Sequence, residues 1–116
     1  MNQQIAHIAL VVDDYDEAIQ FYTQKLGFTL VEDTPQSETK RWVLVKPPGN
    51  GECCLILAKG VGDEQRSRIG NQTGGRVFLF LYTDDIQRDY KRMLEINIRF
   101  ARQFFIMQFV TKSVCM

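Results

Sequence analysis

The sequence predicts an α+β fold in which one arrangement of elements occurs twice: a strand, an acidic helix cap, an amphipathic helix and a further strand. Apolar runs of strand length at residues 5–12 and 76–82 are each followed by Asp residues and then by apolar side chains at helical spacing. The two occurrences lie about seventy residues apart. A chain of 116 residues is too short for two independent cores, so we expect the two units to share one.

The first strand is predicted from residues 5–12, which are apolar except for His7. So continuous an apolar run is typical of a strand covered on both faces. Alternation along the strand places His7 on the same face as Ala9 and Val11. His7, the one polar side chain in this run, is therefore a candidate functional residue.

The helix that follows begins at a good N-cap, Asp14, and is expected to end at Gly27. Its apolar residues lie on one face, which predicts packing against a sheet. They are Tyr15, Ala18, Ile19, Tyr22 and Leu26.

Three more strands are expected in the first half, at residues 28–31, 40–46 and 52–58. The segment PPGNG between the last two predicts a tight turn and thus a hairpin. In the middle strand Trp42 and Leu44 share one face by alternation. The first half therefore reads strand, helix, strand, strand, strand.

Residues 59–75 contain five glycines and little apolar periodicity, and are interpreted as a connector between the two halves. A strand at residues 76–82, a helix capped by Asp84 and a strand at residues 97–102 are expected after it. One face of the first of these strands carries Arg76, Phe78, Phe80 and Tyr82. The apolar stripe of the helix consists of Ile86, Tyr90, Met93 and Leu94.

Composition excludes several classes of protein. Fourteen basic residues balance fourteen acidic ones and are scattered, whereas a nucleic-acid interface needs a concentrated basic face. No apolar run approaches the ~20 residues of a membrane helix, and residues 1–7 do not resemble a secretory leader. With three cysteines, two of them adjacent, we expect reduced, mostly buried thiols and a cytoplasmic location.

The runs HIALVVDD and AIQFYTQKLGF resemble the first module of the glyoxalase/bleomycin-resistance/dioxygenase superfamily, also called the vicinal oxygen chelate superfamily. The resemblance implies two βαβββ modules whose sheets form an open half-barrel cavity. The first module would span residues 4–58 and the second residues 76–116 of a single domain, with the second atypical or truncated at its C-terminal end. Metal-using members hold one divalent ion through ligands on the first and fourth strands of each module.

His7 matches the first of those ligand positions. The resemblance places the fourth-strand ligand at Ile56, which cannot bind a metal, and the next at Arg76 or Phe78. No acidic residue follows Glu95 to supply the last one. His7 is thus the single matching ligand of a centre that needs about three or four.

Three functions remain open at the level of sequence. The favoured one is a metal-free pocket that binds a small molecule through Trp42, Phe78, Phe80 and Tyr82, with Arg76 available for an anionic group. The second is a lyase, isomerase, thiol transferase or dioxygenase that uses Zn, Ni, Mn or Fe, with His7 as metal ligand or catalytic base and further ligands from Cys54, Glu52 or a dimer mate. The third is a folded but inactive family member.

The segment FFIMQFV near the C-terminus is apolar and β-prone, so we expect it to be buried. One interpretation is a strand at residues 104–110 beside residues 97–102 or across a dimer. The other is a replacement tail left by truncation or a frame change, which would leave an exposed sheet edge. The exposed edge of the second interpretation predicts a homodimer, with exchanged elements as one possible form.

Overall fold

A computed structural model describes residues 1–95 and 107–111, and the chain divides into two compact units, Met1–Ile69 and Gly70–Met116. The predicted α+β class is confirmed, and the first unit has the expected order of strand, helix and three strands. Its elements are β1 (His7–Val12), α1 (Tyr15–Gln20), β2 (Thr29–Pro35), β3 (Arg41–Lys46), β4 (Cys54–Lys59) and a further helix, α2 (Gly62–Ser67).

The four strands of the first unit form one sheet in the order β1-β4-β3-β2. β4 is parallel to β1 and antiparallel to β3, so the first and last strands of the module lie side by side. β1 begins two residues later than predicted, and Ile5 is 73% exposed. The sequence predicts that both faces of β1 are covered, but only one is. Leu10 and Val12 on one face are buried, whereas His7 and Ala9 on the other are exposed.

The first helix begins as predicted, with Asp14 Oδ2 accepting a hydrogen bond of 2.9 Å from the Glu17 amide. It does not continue as a uniform α-helix, because Phe21–Lys25 forms a π-helical turn. In that turn the Leu26 amide donates to the Phe21 carbonyl at 3.1 Å. Gly27 then ends the helix with φ of 76°, a conformation that favours glycine.

The core of the first unit lies between this helix and one face of the sheet. Val43, Val45 and Leu57 are fully buried on that face. Tyr22 is also buried, and burial raises the pKa of its hydroxyl far above the ordinary value. The remaining buried apolar residues of the unit are Leu10, Val12, Tyr15, Ala18, Phe21, Leu26, Phe28, Leu44, Cys54 and Leu55.

Arg41 fixes which face of the sheet meets the helix. Its guanidinium lies 5.2 Å from the centre of the Tyr15 ring and binds Asp16 of α1 at 2.9 Å and Asp33 of β2 at 2.6 Å. The hydrogen bonds that Arg41 donates to the Asp33 and Asp16 carboxylates raise its pKa above the ordinary value. Because side chains alternate along β3, Val43 and Val45 point to the same helix-covered face as Arg41.

The second unit contains β5 (Leu79–Thr83), α3 (Ile86–Glu95) and β6 (Met107–Thr111), with β6 parallel to β5. β5 begins three residues later than predicted, so Arg76 and Phe78 precede it. The predicted cap is also wrong by one residue, since Asp85 Oδ1 accepts the Arg88 amide at 3.0 Å. Asp84 instead pairs with the Arg88 guanidinium at 3.0 Å.

The sequence predicts strands at residues 97–102 and in the apolar segment near the C-terminus. The predicted strand at residues 97–102 lies outside the described residues. Part of the apolar segment does form a strand, β6, and it pairs with β5 in register from Leu79 opposite Met107 to Thr83 opposite Thr111.

The connector predicted at residues 59–75 contains the short helix α2, and the division between the two units falls within it, after Ile69. Cys53 is exposed and Cys54 buried, and both are free thiols, so the expectation of mostly buried thiols holds for one of the two. In the described part of the chain, no helix is long and apolar enough to cross a membrane.

Candidate functional site

The face of the first sheet that points away from α1 carries the predicted site residues of this unit. Trp42 and Leu44 alternate with the helix-facing residues of β3, so they lie on this second face. Strand register extends the face across the sheet, because Leu44 lies opposite Ile56 and Ile56 lies opposite Ala9. Ala9, Ile56 and Leu44 thus lie side by side across three strands and form what we call the apolar row.

His7 and Trp42, both predicted from sequence, are in contact on this face. Their ring centroids lie 5.9 Å apart with an interplanar angle of 74°, an edge-to-face arrangement that is favourable for aromatic pairs. His7 also lies directly opposite Cys54 in the parallel pairing of β1 with β4. His7 and Trp42 therefore form an aromatic cluster on the same face as the apolar row, and Cys54 is the register partner of His7 on β4.

Parts of this face are more accessible than the helix-covered face. His7 and Ala9 are exposed and Trp42 and Ile56 are half-buried, whereas Leu44 and Cys54 are buried. Val43, Val45 and Leu57 on the other face have no exposed surface. A molecule in solvent can therefore reach aromatic and aliphatic surface here without opening the core.

The donor set does not fit the divalent centre implied by the resemblance. Ile56, to which the resemblance assigns the fourth-strand ligand, is the middle member of the apolar row and offers no lone pair. Glu52 is exposed and precedes β4. Within residues 1–95 and 107–111, no group of three or more His, Cys, Asp or Glu side chains is arranged to hold a metal ion, whereas such an ion needs three or four ligands.

The other predicted ligand-binding residues belong to the second unit. Arg76 is exposed and Phe78 half-buried, and both precede β5. Phe80 and Tyr82 lie within β5 two residues apart, so they share a face, and they are 63% and 62% exposed. A separate depression along Asn2 to Ile5 includes none of the predicted site residues.

Comparison with known protein families decides the relationship of this chain. The model of the glyoxalase/bleomycin resistance protein/dioxygenase superfamily matches residues 4–105. The chain belongs to this superfamily. Residues 106–116 lie outside the match.

Two similar proteins match this chain at high and at moderate identity. An uncharacterized protein of Shewanella frigidimarina (strain NCIMB 400) is 60% identical over 103 residues, which cover 88% of this chain and 76% of the relative. The uncharacterized protein YurT of Bacillus subtilis (strain 168) is 30% identical over 114 residues, covering 96% of this chain and 88% of YurT.

Solved structures show the same superfamily fold. UcmS2 matches with a TM-score of 0.69 and 29% identity over 82% of this chain and 75% of UcmS2. TnmS3, described as an antibiotic binding protein from Streptomyces sp. CB03234, matches with a TM-score of 0.63 and 27% identity over 83% of this chain and 72% of TnmS3.

From the sequence Cys54 is only a substitute ligand two residues from Ile56, whereas the structure places it opposite His7. Alternation shows which residues of one strand share a face, but not which residue of another strand lies beside them. Only the register of β1 against β4 shows that His7 and Cys54 are partners, and that register cannot be read from two distant segments of the sequence.

Proposed function

We propose that the protein binds a small, largely apolar or aromatic molecule on the sheet face formed by His7, Trp42 and the apolar row, without the divalent centre of metal-using superfamily members. One observation carries the proposal: Ile56, to which the resemblance assigns the fourth-strand ligand position, lies in the middle of the apolar row. At the point where a metal would polarise a substrate, this face offers an aliphatic surface instead.

The chemistry of the face supports such a ligand. Trp42 offers a large apolar ring with one N–H donor, and the His7 imidazole can donate or accept a hydrogen bond at the edge of the cluster. These groups suit a ligand with a flat apolar body and a few polar atoms. The antibiotic binding described for TnmS3 is consistent with a role of this kind.

The second unit carries a separate set of candidate ligand-binding residues. Phe78, Phe80 and Tyr82 offer aromatic surface, and Arg76 offers a charge for an anionic group. We include these residues in the proposal as a second set to be tested separately. Each is examined by its own substitution to Ala in the same binding assay.

A thermal-shift screen with aromatic and anionic metabolites, with and without EDTA, tests the proposal. A ligand present at 100 times its dissociation constant stabilises a protein by about 2.7 kcal/mol, and we expect at least one such stabilisation to persist in EDTA. Trp42→Ala should abolish it. Leu30→Ala is the matched control, because Leu30 lies in the same sheet opposite Val45 of the helix-covered face.

The absence of stabilisation by every compound would contradict binding and favour the folded but inactive alternative. A stabilisation that EDTA removes would contradict the metal-free part of the proposal. Equal loss of stabilisation in Trp42→Ala and Leu30→Ala would contradict the location of the site.

The register of His7 with Cys54 favours one alternative, a metal-dependent lyase, isomerase, thiol transferase or dioxygenase. Two residues with donor side chains lie in register on neighbouring strands, and such an enzyme would need at least one further ligand. Metal analysis of the untagged protein tests it. Stoichiometric Zn, Ni, Mn or Fe in the wild type, lost in His7→Ala, would favour this enzyme over the metal-free proposal.

We also propose a homodimer in the cytoplasm. The exposed aromatic rings of Phe80 and Tyr82 support association, since apolar surface of this kind is commonly buried against a partner. Sedimentation analysis should show a dimer at micromolar concentration, and a stable monomer there would contradict it.

A further inference from the structure

The turn between β3 and β4 presents the Asn50–Gly51 peptide to solvent. Residues 47–53 connect the two strands, and both Asn50 and Gly51 are exposed. We propose that Asn50 is a site of spontaneous deamidation and that the Lys46 ammonium promotes the reaction. This modification site is separate from the proposed small-molecule site and does not depend on it.

The reaction takes place within the chain and needs only water as a co-reactant. The Gly51 amide nitrogen attacks the side-chain carbonyl carbon of Asn50. A bond forms between these two atoms, the bond from that carbon to Nδ2 breaks, and the amide proton leaves with Nδ2 as ammonia. Water then opens the resulting succinimide ring at either carbonyl, which gives aspartate or isoaspartate without any change of oxidation state.

The attacking nitrogen is accessible because the residue after Asn50 is glycine. A side chain at this position would hinder ring closure, and glycine has none. Apart from its chain neighbours, no atom lies within 4 Å of the place where a Gly51 Cβ would stand. Among the described residues, the Gly51 amide has no hydrogen-bond acceptor that would hold it back from the reaction.

The Lys46 ammonium lies against the backbone on both sides of the reacting peptide. Its Nζ donates to the Gly49 carbonyl oxygen at 3.3 Å and to the Gly51 carbonyl oxygen at 3.2 Å. Within residues 1–95 and 107–111, no carboxylate pairs with this ammonium. The Gly51 nitrogen must lose its proton to attack, and a positive charge a few ångströms away stabilises the anion that results.

The product changes both the charge and the backbone of the turn. Fourteen basic residues balance fourteen acidic ones in the chain, so each deamidation leaves one acidic group in excess. The new carboxylate forms in the turn where the Lys46 ammonium is bound, and the two charges attract. Isoaspartate also lengthens by one carbon the main chain of the turn that joins β3 to β4.

Incubation of the full-length protein in mildly alkaline buffer, followed by peptide mass spectrometry, tests the site. We expect the amide-to-acid mass increase to accumulate at Asn50, with isoaspartate as a product, and to lag far behind at Asn71. Asn71 is the matched control, because it is exposed and outside helices and strands but is followed by Gln72. Equal rates at the two residues would overturn the proposal.

Gly51→Ala tests the geometry of ring closure. It should slow the reaction at Asn50 on the order of tenfold, because a Cβ then flanks the attacking nitrogen. The alanine fits this position, which has open space around it and a φ outside the left-handed region. An unchanged rate in a variant that circular dichroism shows to be folded would contradict attack by the Gly51 nitrogen.

Lys46→Met and Lys46→Arg test the role of the charge. Lys46→Met should slow the reaction about threefold, whereas Lys46→Arg retains the charge and should stay close to wild type. Added salt should slow the wild type but not Lys46→Met, because it screens an exposed charge. A rate in folded Lys46→Met at or above that of wild type would overturn the role of Lys46. Ligand binding in EDTA is a separate measurement, so either proposal can fail while the other stands.

Discussion

The two units of this protein begin with the same local device but differ in the burial of their first strands. Asp14 caps the helix of the first unit through the Glu17 amide at 2.9 Å, and Asp85 caps that of the second through the Arg88 amide at 3.0 Å. Leu10 in β1 is buried, whereas Phe80 in β5 is 63% exposed. A cap is encoded within four residues, but the burial of a strand depends on what packs against it.

The largest expected effect is the loss of stability when a leucine in a strand of each unit is replaced by alanine. Leu57→Ala removes a side chain with no exposed surface and should lower the free energy of unfolding by about 2–5 kcal/mol, because it leaves a cavity in close-packed surroundings. Leu81→Ala, at a half-buried position in β5, should cost only about 1 kcal/mol. Urea unfolding followed by circular dichroism measures both.

The control for these substitutions is Val61→Ala, at a position that is 74% exposed. It should change stability by less than about 0.5 kcal/mol. If Leu81→Ala costs as much as Leu57→Ala, the contrast in burial between the units is wrong.

A smaller effect tests the feature that the units share. Asp14→Ala and Asp85→Ala should each cost about 1 kcal/mol in urea unfolding, since each leaves a helix amide without its acceptor. Asp14→Asn and Asp85→Asn retain an acceptor and should be close to wild type. Asp84→Ala should lower the free energy of unfolding less than Asp85→Ala. The reverse order would show that Asp84 is the helix cap, as the sequence predicts.

The smallest effect is a dependence on pH specific to the second unit. Burial of the Asp89 carboxyl opposes its ionisation, but hydrogen bonds from Arg88 and Thr83 outweigh that effect and lower the pKa of Asp89 below its ordinary value of 3.8. A group with a lowered pKa in the folded state stabilises the protein above its unfolded pKa. That stability is lost as the pH falls through the folded value.

Asp89→Asn should therefore destabilise the protein by under about 1 kcal/mol at pH 7. The difference from wild type should shrink as the pH falls below about 4. Urea unfolding at pH 7 and pH 3 checks this, with Asp63→Asn, in the first unit, as the control. A difference that is the same at both pH values would exclude a role for the Asp89 charge.

The sequence predicted what depends on short segments and missed what depends on pairing. The α+β class, the Asp14 cap, the stop at Gly27 and the shared face of Trp42 and Leu44 follow from residues close in the chain. The π-helical turn does not, because Phe21–Lys25 has ordinary helical spacing.

Site geometry shows the same division. The sequence predicts candidate faces for His7 and Trp42, but only the folded chain shows that their rings are in contact and that Cys54 lies opposite His7. Arg76 and Phe78 were assigned to a strand that begins three residues later, because β-propensity marks a strand's interior better than its first residue.

The central claim is that a small molecule binds the face formed by His7, Trp42 and the apolar row without a divalent metal. The chain contains one tryptophan, so a nitrogen-15 spectrum of the indole group contains one signal, that of Trp42. For a compound that stabilises the protein in EDTA, we predict a saturable shift of this signal with the same dissociation constant as the stabilisation. An indole signal that stays unchanged at saturation would contradict the account.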